Sequence, residues 1–333
     1  LIGWSDQDTE TRRAIKAYID GGSTNVMGAS SVEVIENATI TSRIGAASLG
    51  FAYKTSERVA LAGAGLNTTN KISNDVQAYI QNVPRGDENV KTFHVSGPLT
   101  VSAHDTSTVS AIAAAASLAM SFSGSSSTSL TASVGVSLAR NTMANSVTAY
   151  INNVQGLSAG NTTLESRETA TIDVTSVAAS LALGFGTTGT IALSGAGAEA
   201  TNVIVGHSNA YIDYSDLVIS GTLDISSSNN STINSTVAAV AASGSGMLGV
   251  GIGAAVSRNL IGWSDPNTSA PFHTTAYLNN SSLRSEQVEL TPNESLVRAN
   301  DKYYRYIGTG EVTGQLSDQD YTCLLYTSDA ADE

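Results

Sequence analysis

Two loops carry oxygen side chains at alternate positions. The first has Asp6, Asp8 and Glu10, and a related loop far along the chain has Asp265 and Asn267. Hard cations such as Ca²⁺ bind several oxygens from one loop, and alternate residues can converge on one ion. The glycine and the terminal glutamate of an EF-hand are missing from both loops. Two interpretations therefore stay open, a Ca²⁺ site and a solvated turn whose Asp and Asn side chains cap backbone groups.

A third loop contains the tripeptide Arg85-Gly86-Asp87 directly after Pro84. It resembles the integrin-binding tripeptide, and an exposed loop is where such a motif would have to lie. A given tripeptide also arises by chance in a chain of this length at average residue frequencies. The tripeptide is a candidate for protein binding, with chance occurrence as the alternative.

Two tryptophans lie beside the acidic loops, Trp4 before the first and Trp263 before the second. An indole combines a flat apolar face with a polar edge, so it can bind a sugar ring. Both tryptophans occupy the same place in a repeated hexapeptide, Leu1–Asp6 and Leu260–Asp265. A structural anchor for the loop is therefore the alternative to a glycan contact.

The other reactive side chains do not form a catalytic set. The best local carboxylate pair is Asp213 with Asp216, in a predicted turn. The four histidines have no metal-ligand spacing, and the glycine-rich segments lack the phosphate-binding fingerprint. The sequence predicts a protein that is not an enzyme. A polysaccharide lyase or hydrolase would need carboxylates clustered in one groove.

The elements that position these residues recur along the chain. An Ala-Tyr-Ile or Ala-Tyr-Leu element occurs five times, with tyrosines spaced 61 to 71 residues apart, at Tyr18, Tyr79, Tyr150, Tyr211 and Tyr277. The boundaries predicted from this period are the end of a repeat at 1–15, repeats at 16–76, 77–147, 148–208 and 209–274, and the start of a fifth at 275–300. Aligned tyrosines in stacked repeats are expected to set the register.

Alternating β-branched residues, bounded by Gly, Asn, Asp and Ser, predict strands in every repeat. The alanine runs at 111–119 and 237–242 are also predicted as strands, although alanine favours helix. The predicted fold is all-β, an elongated parallel β-helix or β-solenoid. We expect each repeat to form about three coils of ~20 residues. On that expectation, threonine elements once per repeat would be too sparse for an ice-binding or mineral-binding array.

The amino-acid composition predicts which classes of partner this chain does not bind. The formal net charge is −13 and no Lys/Arg cluster is present, so the sequence predicts no nucleic-acid binding. The Ala/Gly/Val stretches are broken by Ser and Gly, which predicts no membrane span in this segment. An acidic, lysine-poor chain favours an extracellular location.

The repeats resemble those of giant bacterial filamentous adhesins, the haemagglutinin-like and leukotoxin-type exoproteins. Besides Ala-Tyr-Ile, the matching segments are Thr169-Ala-Thr-Ile-Asp173, Ser194-Gly-Ala-Gly-Ala-Glu-Ala-Thr-Asn202 and Gly135-Val-Ser-Leu-Ala-Arg-Asn141. The resemblance covers residues 1 to about 300. It implies a secreted, surface-located segment that serves as a stalk or spacer or in adhesion, with surface glycans or proteins as partners. It supplies no catalytic residues.

Two further segments follow the repeats. Residues 301–322 resemble a truncated insert of such adhesins, and residues 323–333 resemble a translated sequencing adapter. The alternative function is a β-helical domain that binds carbohydrate or degrades polysaccharide.

Overall fold

The computed structural model describes twelve stretches of the chain, and from residue 285 onward the backbone alone. The described stretches are 1–6, 9–54, 58–84, 93–124, 128–186, 189–262, 273–285, 287–290, 296–299, 302–306, 312–315 and 325–328. Every regular element in them is a β-strand, so the prediction of an all-β parallel solenoid is confirmed.

The strands follow one plan in successive coils. The first coil contains β1 (Arg13–Asp20), β2 (Thr24–Val26), β3 (Ser30–Glu36), β4 (Thr39–Lys54) and β5 (Arg58–Ile72). The second contains β6 (Asn74–Val83), β7 (Phe93–Val95), β8 (Leu99–Asp105), β9 (Thr108–Ser123) and β10 (Ser129–Met143). The third contains β11 (Ser146–Ala159), β12 (Thr162–Glu168), β13 (Thr171–Phe185) and β14 (Thr190–Ile204).

The fourth coil contains β15 (His207–Asp213), β16 (Asp216–Ile219), β17 (Leu223–Asn229), β18 (Thr232–Ser245) and β19 (Leu248–Ile261), and a fifth begins with β20 (His273–Asn279) and β21 (Ser282–Ser285). Strands β22 (Gln287–Leu290), β23 (Leu296–Ala299), β24 (Lys302–Tyr306), β25 (Val312–Gln315) and β26 (Leu325–Ser328) follow. These last five pair antiparallel, β22 with β25 and β24 with both β23 and β26.

Each repeat forms a single coil of the solenoid. Tyr18 pairs with Tyr79 in adjacent parallel strands, and Tyr79 pairs in the same way with Tyr150. Consecutive repeats are therefore neighbours in one sheet, and one repeat advances the stack by a single strand spacing of ~4.8 Å. The prediction of three coils per repeat is wrong, because strands of up to 16 residues accommodate the whole repeat in one turn of the chain.

The threonine elements consequently stack on adjacent coils. Thr108 pairs with Thr39 on one side and with Thr171 on the other, and Thr171 pairs with Thr232. The premise that these elements lie three coils apart is wrong. They form one threonine column, flanked on β13 by Asp173.

The body of each coil encloses an aliphatic core. The sheet β1-β6-β11-β15-β20 faces the sheet β3-β8-β12-β17 across this core. Inward positions alternate with outward ones along each strand, as in β12 and β15. The largest fully buried side chains include Ile80, Leu99, Ile151, Leu164 and Ile212.

A thin two-layered projection, here called the fin, extends from the body. It consists of the sheet β4-β9-β13-β18 packed against the sheet β5-β10-β14-β19. Its interior is made mainly of Ala, Ser, Gly and Thr, and Ser117 is hydrogen-bonded to Ser133 across the layers at 2.7 Å. A Cβ on Gly135 would lie 2.6 Å from the carbonyl oxygen of Ala179. Both predicted alanine strands lie here, in β9 and β18, and are confirmed.

A ladder of buried amides runs along the stack where the fin joins the body. The side-chain amide of Asn70 donates to the oxygen of Asn141, Asn141 donates to Asn202, and Asn202 donates to Asn259, each at 2.8 Å. Each amide uses its donor on one coil and its acceptor on the other, so the ladder fixes the register of four coils.

Candidate functional site

The first tryptophan loop is attached to the edge of the solenoid. Ile2 forms a parallel bridge with Ile72, and Trp4 forms an antiparallel bridge with Glu10. The Lys71 ammonium lies 4.2 Å from the centroid of the Trp4 ring, a cation–π contact. This contact covers one face of the indole, so that face is engaged by the chain itself.

The carboxylates of the proposed Ca²⁺ loop are hydrogen-bonded where they are described. Asp6 accepts a hydrogen bond from the backbone N–H of Thr9 at 2.7 Å and another from its hydroxyl at 3.1 Å. Glu10 accepts one from Arg12 at 2.9 Å and one from the Ser73 hydroxyl at 2.5 Å. Asp6 thus caps a backbone N–H three residues on, as in the alternative interpretation of the loop. A cation bound here would have to take these oxygens from their present donors.

Several predicted site residues lie outside the described residues. They are Asp8, Trp263, Asp265, Asn267 and the tripeptide Arg85-Gly86-Asp87. Their assignments as a Ca²⁺ site, a glycan contact and a protein-binding tripeptide stay predictions. Within the described residues, no group of three or more His, Cys, Asp or Glu side chains is placed to hold a metal ion.

The five tyrosines form a continuous stack on the outer face of the body. Neighbouring ring centroids are 5.1, 4.6, 5.2 and 5.2 Å apart, and neighbouring rings lie within 10° of parallel. The prediction that the tyrosines set the register agrees with this geometry. Each inner ring is covered on both faces by its neighbours, Tyr79 is only 7% exposed, and the Tyr150 hydroxyl donates to Gln81 at 3.3 Å. Desolvation, followed by the neighbouring tyrosines, raises the pKa of Tyr150.

A polar column runs beside the tyrosine edges. Its members, two positions beyond each tyrosine, are Asp20, Gln81, Asn152, Asp213 and Asn279. Gln81 donates to Asp20 at 3.0 Å, and hydrogen bonds from Asn82 and Gln81 lower the pKa of Asp20. We call the tyrosine stack and this column together the tyrosine strip. It presents carboxylates, amides and phenol hydroxyls at the spacing of the strands.

A column of carboxylates is buried at the junction of body and fin. Glu36, Asp105, Glu168 and Asn229 occupy the same register position in four adjacent strands. Asp105 accepts hydrogen bonds from the backbone of Ser107 at 2.8 Å and from the amide of Asn74 at 3.3 Å. The carboxylate of Glu36 forms a salt bridge with Arg13 at 3.2 Å.

Glu168 is the least satisfied member of that column. Its Oε2 accepts a hydrogen bond from the Asn229 amide, while its Oε1 is buried with no hydrogen-bond partner. Burial first, and the neighbouring charge of Asp105 second, raise the pKa of Glu168 to about 8. Sequence reasoning missed this column, although Glu36, Glu168 and Asn229 each lie 18 residues after the tyrosine of their repeat. Asp105 lies 26 residues after its tyrosine, so aligning the repeats by their tyrosines does not bring it into the column.

The remaining candidates for acid or metal chemistry are separate in the described structure. Asp213 accepts hydrogen bonds from the Tyr214 backbone and from Asn279, both at 3.1 Å. His207 and His273 stack with ring centroids 5.8 Å apart, and burial lowers the pKa of His207. His104 lies 3.6 Å from Glu165, and both belong to the sheet β3-β8-β12-β17.

Comparison with protein-family models, with curated proteins and with solved structures found no match to this chain. The resemblance to filamentous adhesins therefore rests on the repeat residues alone. Among the described residues, no helix has the length and hydropathy to cross a bilayer.

Proposed function

We propose that this chain is a structural and adhesive repeat segment of a secreted bacterial surface adhesin, and that it is not catalytic. The observation that supports this most is the unbroken register of the coils. The tyrosine stack links five strands and the asparagine ladder links four coils. Repeated ladders of this kind build a rigid, uniform surface.

The geometry of the coils gives a wide lateral surface and a short length along the stack axis. A repeat of 61 to 71 residues advances the stack by only ~4.8 Å, while a 16-residue strand in the fin spans about 50 Å. Most residues of such a chain therefore contribute to the width of the solenoid and few to its length. Contact with a partner is therefore expected on the sides of the solenoid.

The tyrosine strip is the surface that we assign to surface glycans or proteins. Its amides and carboxylates can hydrogen-bond to sugar hydroxyls, and its tyrosine edges add apolar contact beside a hydroxyl. The acidic charge of the chain fits an extracellular location.

A glycan array and a panel of immobilised polysaccharides test this function. The double variant Gln81→Ala with Asn152→Ala removes two central amides of the tyrosine strip, and Thr175→Ala on the fin is the matched control. We expect binding that the double variant weakens and the control retains. No binding by the wild-type chain to any glycan or surface protein would contradict the adhesive role.

The same panel addresses the alternative. Release of oligosaccharides by the wild-type chain would overturn the non-catalytic assignment in favour of a polysaccharide-degrading β-helix. Binding without turnover that does not depend on Gln81 or Asn152 would move the contact to another surface, such as the Trp4 loop.

A further inference from the structure

Charged side chains are absent from long stretches of the fin, although its strands carry Arg43, Arg140 and Arg258. The chain contains 16 Lys and Arg and 29 Asp and Glu, yet none occurs at 106–139, 174–198 or 225–257, which include most of the fin strands of the second, third and fourth coils. In the first coil, residues 44–65 carry charges only at Lys54, Glu57 and Arg58. A surface that meets only water has no need of this exclusion, which is typical of the buried part of an interface.

The outer face of β4, β9, β13 and β18 carries two adjacent columns of opposite relief. Leu49, Leu118 and Leu181 pair across adjacent strands and form a column that we call the leucine ridge. Two residues earlier on the same strands, Ala47, Ala116, Ala179 and Val240 form the floor of what we call the alanine groove. Residues of both columns line an open groove of about 600 Å³.

The large apolar side chains of this face are open to solvent. Leu49 is 68% exposed, Phe51 60% and Val240 61%. Phe122 and Phe185 lie four residues beyond the ridge leucines of their strands and stack with ring centroids 4.8 Å apart. They extend the apolar face toward the outer end of the fin. Scattered exposed leucines are ordinary on a protein surface, but a contiguous apolar face indicates an interaction site.

The area of the face sets the strength of the interaction that it can support. Four strands spaced ~4.8 Å apart, with about nine residues of ~3.3 Å each, give an apolar face of roughly 500 Å². A stable interface buries about 800 Å² on each partner. A face of four coils is therefore expected to support weak, reversible association, which becomes stronger with every coil added.

The axial period of the face identifies its occupant. Ridge side chains recur at the strand spacing on three adjacent coils, and the fourth coil has Ala242 at that position, so only a surface with the same period can follow the groove along the stack. A second copy of this chain has that period. A two-fold axis parallel to the stack and lying between the two columns would place each ridge over the groove of the other copy.

Two other occupants fit less well. A lipid bilayer would receive the outer end of the fin at its deepest point, where β9 ends at Ser123 and β10 begins at Ser129, and polar residues are not stable in hydrocarbon. A glycan needs hydrogen-bonding side chains beside an apolar platform, whereas the groove is lined mainly by Ala, Leu and Val.

We propose that the leucine ridge and the alanine groove form a docking surface for a second copy of this chain, ridge into groove in both directions. The two stacks then run side by side in the same direction, with their fins in face-to-face contact. This association goes beyond the proposed adhesive function and does not depend on which glycan or protein the chain contacts.

Sedimentation equilibrium of the full chain over a wide concentration range tests the proposal. The double variant Leu118→Asp with Leu181→Asp places charge on the ridge. Its control, Thr108→Asp with Thr171→Asp, places the same charges on the same strands and face, outside the two columns. We expect a reversible wild-type dimer, a dissociation constant raised at least tenfold by the leucine variant, and no comparable change in the control.

A second variant keeps the test valid if the charged ridge unfolds the fin. Ala116→Phe fills the groove without adding charge, and circular dichroism reports whether the strands persist. We expect Ala116→Phe to be folded and to weaken the dimer as the ridge variant does. A wild-type chain that stays monomeric at all concentrations, or a dimer indifferent to the groove variant, would overturn the proposal. Flotation with phosphatidylcholine vesicles that is lost in the leucine variant would overturn it in favour of a lipid.

Discussion

At the scale of single residues, the two columns that cross the interior of the solenoid differ in how well they are satisfied. The asparagine ladder gives each inner amide a donor and an acceptor, whereas the carboxylate column places Glu168 beside Asp105 with too few donors. In stacked coils, the residues at a repeated position lie next to each other in one column, so a favourable or an unfavourable contact occurs once per coil. A good hydrogen bond becomes a ladder, and a buried charge becomes a row of mutually repelling carboxyls.

Glu168 makes stability depend on pH. Its folded pKa of about 8 lies above its ordinary value of 4.5, so the folded state holds a proton that the unfolded state has released between those pH values. Stability therefore falls as pH rises from about 5 to about 8, by a loss on the order of 2–4 kcal/mol. Asp105, whose pKa is also raised by burial, acts in the same direction.

Glu168→Gln keeps the shape of the side chain and removes its ionisation. We expect this variant to be more stable than the wild type at pH 8 and to flatten the pH dependence, as measured by urea unfolding at pH 5 and pH 8. Glu165→Gln, at a more exposed position of the same strand, is the control and should leave the slope unchanged. An undiminished slope in Glu168→Gln would show that the titrating group lies elsewhere.

The asparagine ladder predicts a cost that depends on position. Asn141→Ala removes one hydrogen bond to each neighbour and leaves a buried donor and a buried acceptor unpaired, which costs about 2–4 kcal/mol. Asn259 stands at the end of the ladder and is more exposed, so Asn259→Ala should cost less. Chemical denaturation of both variants checks this order. Equal costs would mean that the ladder does not act as a connected column.

At the scale of the elements, the strands were predictable and their lengths were not. Alternating β-branched residues and the alanine runs indicated strands, and β9 and β18 confirm them. Strands in globular proteins usually have about five or six residues, which favoured three short coils per repeat. The fin strands reach 14 to 16 residues because Ala, Ser and Gly let the two layers lie close together along their whole length.

The closeness of the two layers can be tested at one glycine. Gly135→Val would bring a side chain against the Ala179 carbonyl, whose oxygen is 2.6 Å from the position of a Cβ. We expect a loss of about 1–3 kcal/mol in the free energy of unfolding. Gly197→Val is the control, because a Cβ at Gly197 meets no atom within 4 Å and valine favours strands. The idea of a tightly closed fin fails if both variants are equally stable.

At the scale of the whole molecule, the sequence showed a period, but the prediction that each period makes three turns of chain was wrong. Tyr18, Tyr79 and Tyr150 mark equivalent positions, but a column of one tyrosine per coil and a column of one per three coils give the same sequence spacing. Strand pairing decides between them, because Tyr18 and Tyr79 are partners in adjacent strands. The sequence period also does not show which side chains become neighbours on the lateral surface of the solenoid. Those neighbours depend on which strands pair.

The rise per repeat gives a prediction for the assembled chain. Inserting a second copy of residues 148–274 after position 274 adds two repeats, which the observed pairing converts into two coils. The stack should then lengthen by about 10 Å with an unchanged cross-section, whereas three coils per repeat would lengthen it by about 29 Å. Electron cryomicroscopy or small-angle X-ray scattering distinguishes these values. A lengthening near the larger value would refute the single-coil repeat. The smaller value would also extend the apolar face by two coils, one with the leucine of the ridge and one with an alanine at that position, so the longer chain should dimerise more tightly than the original.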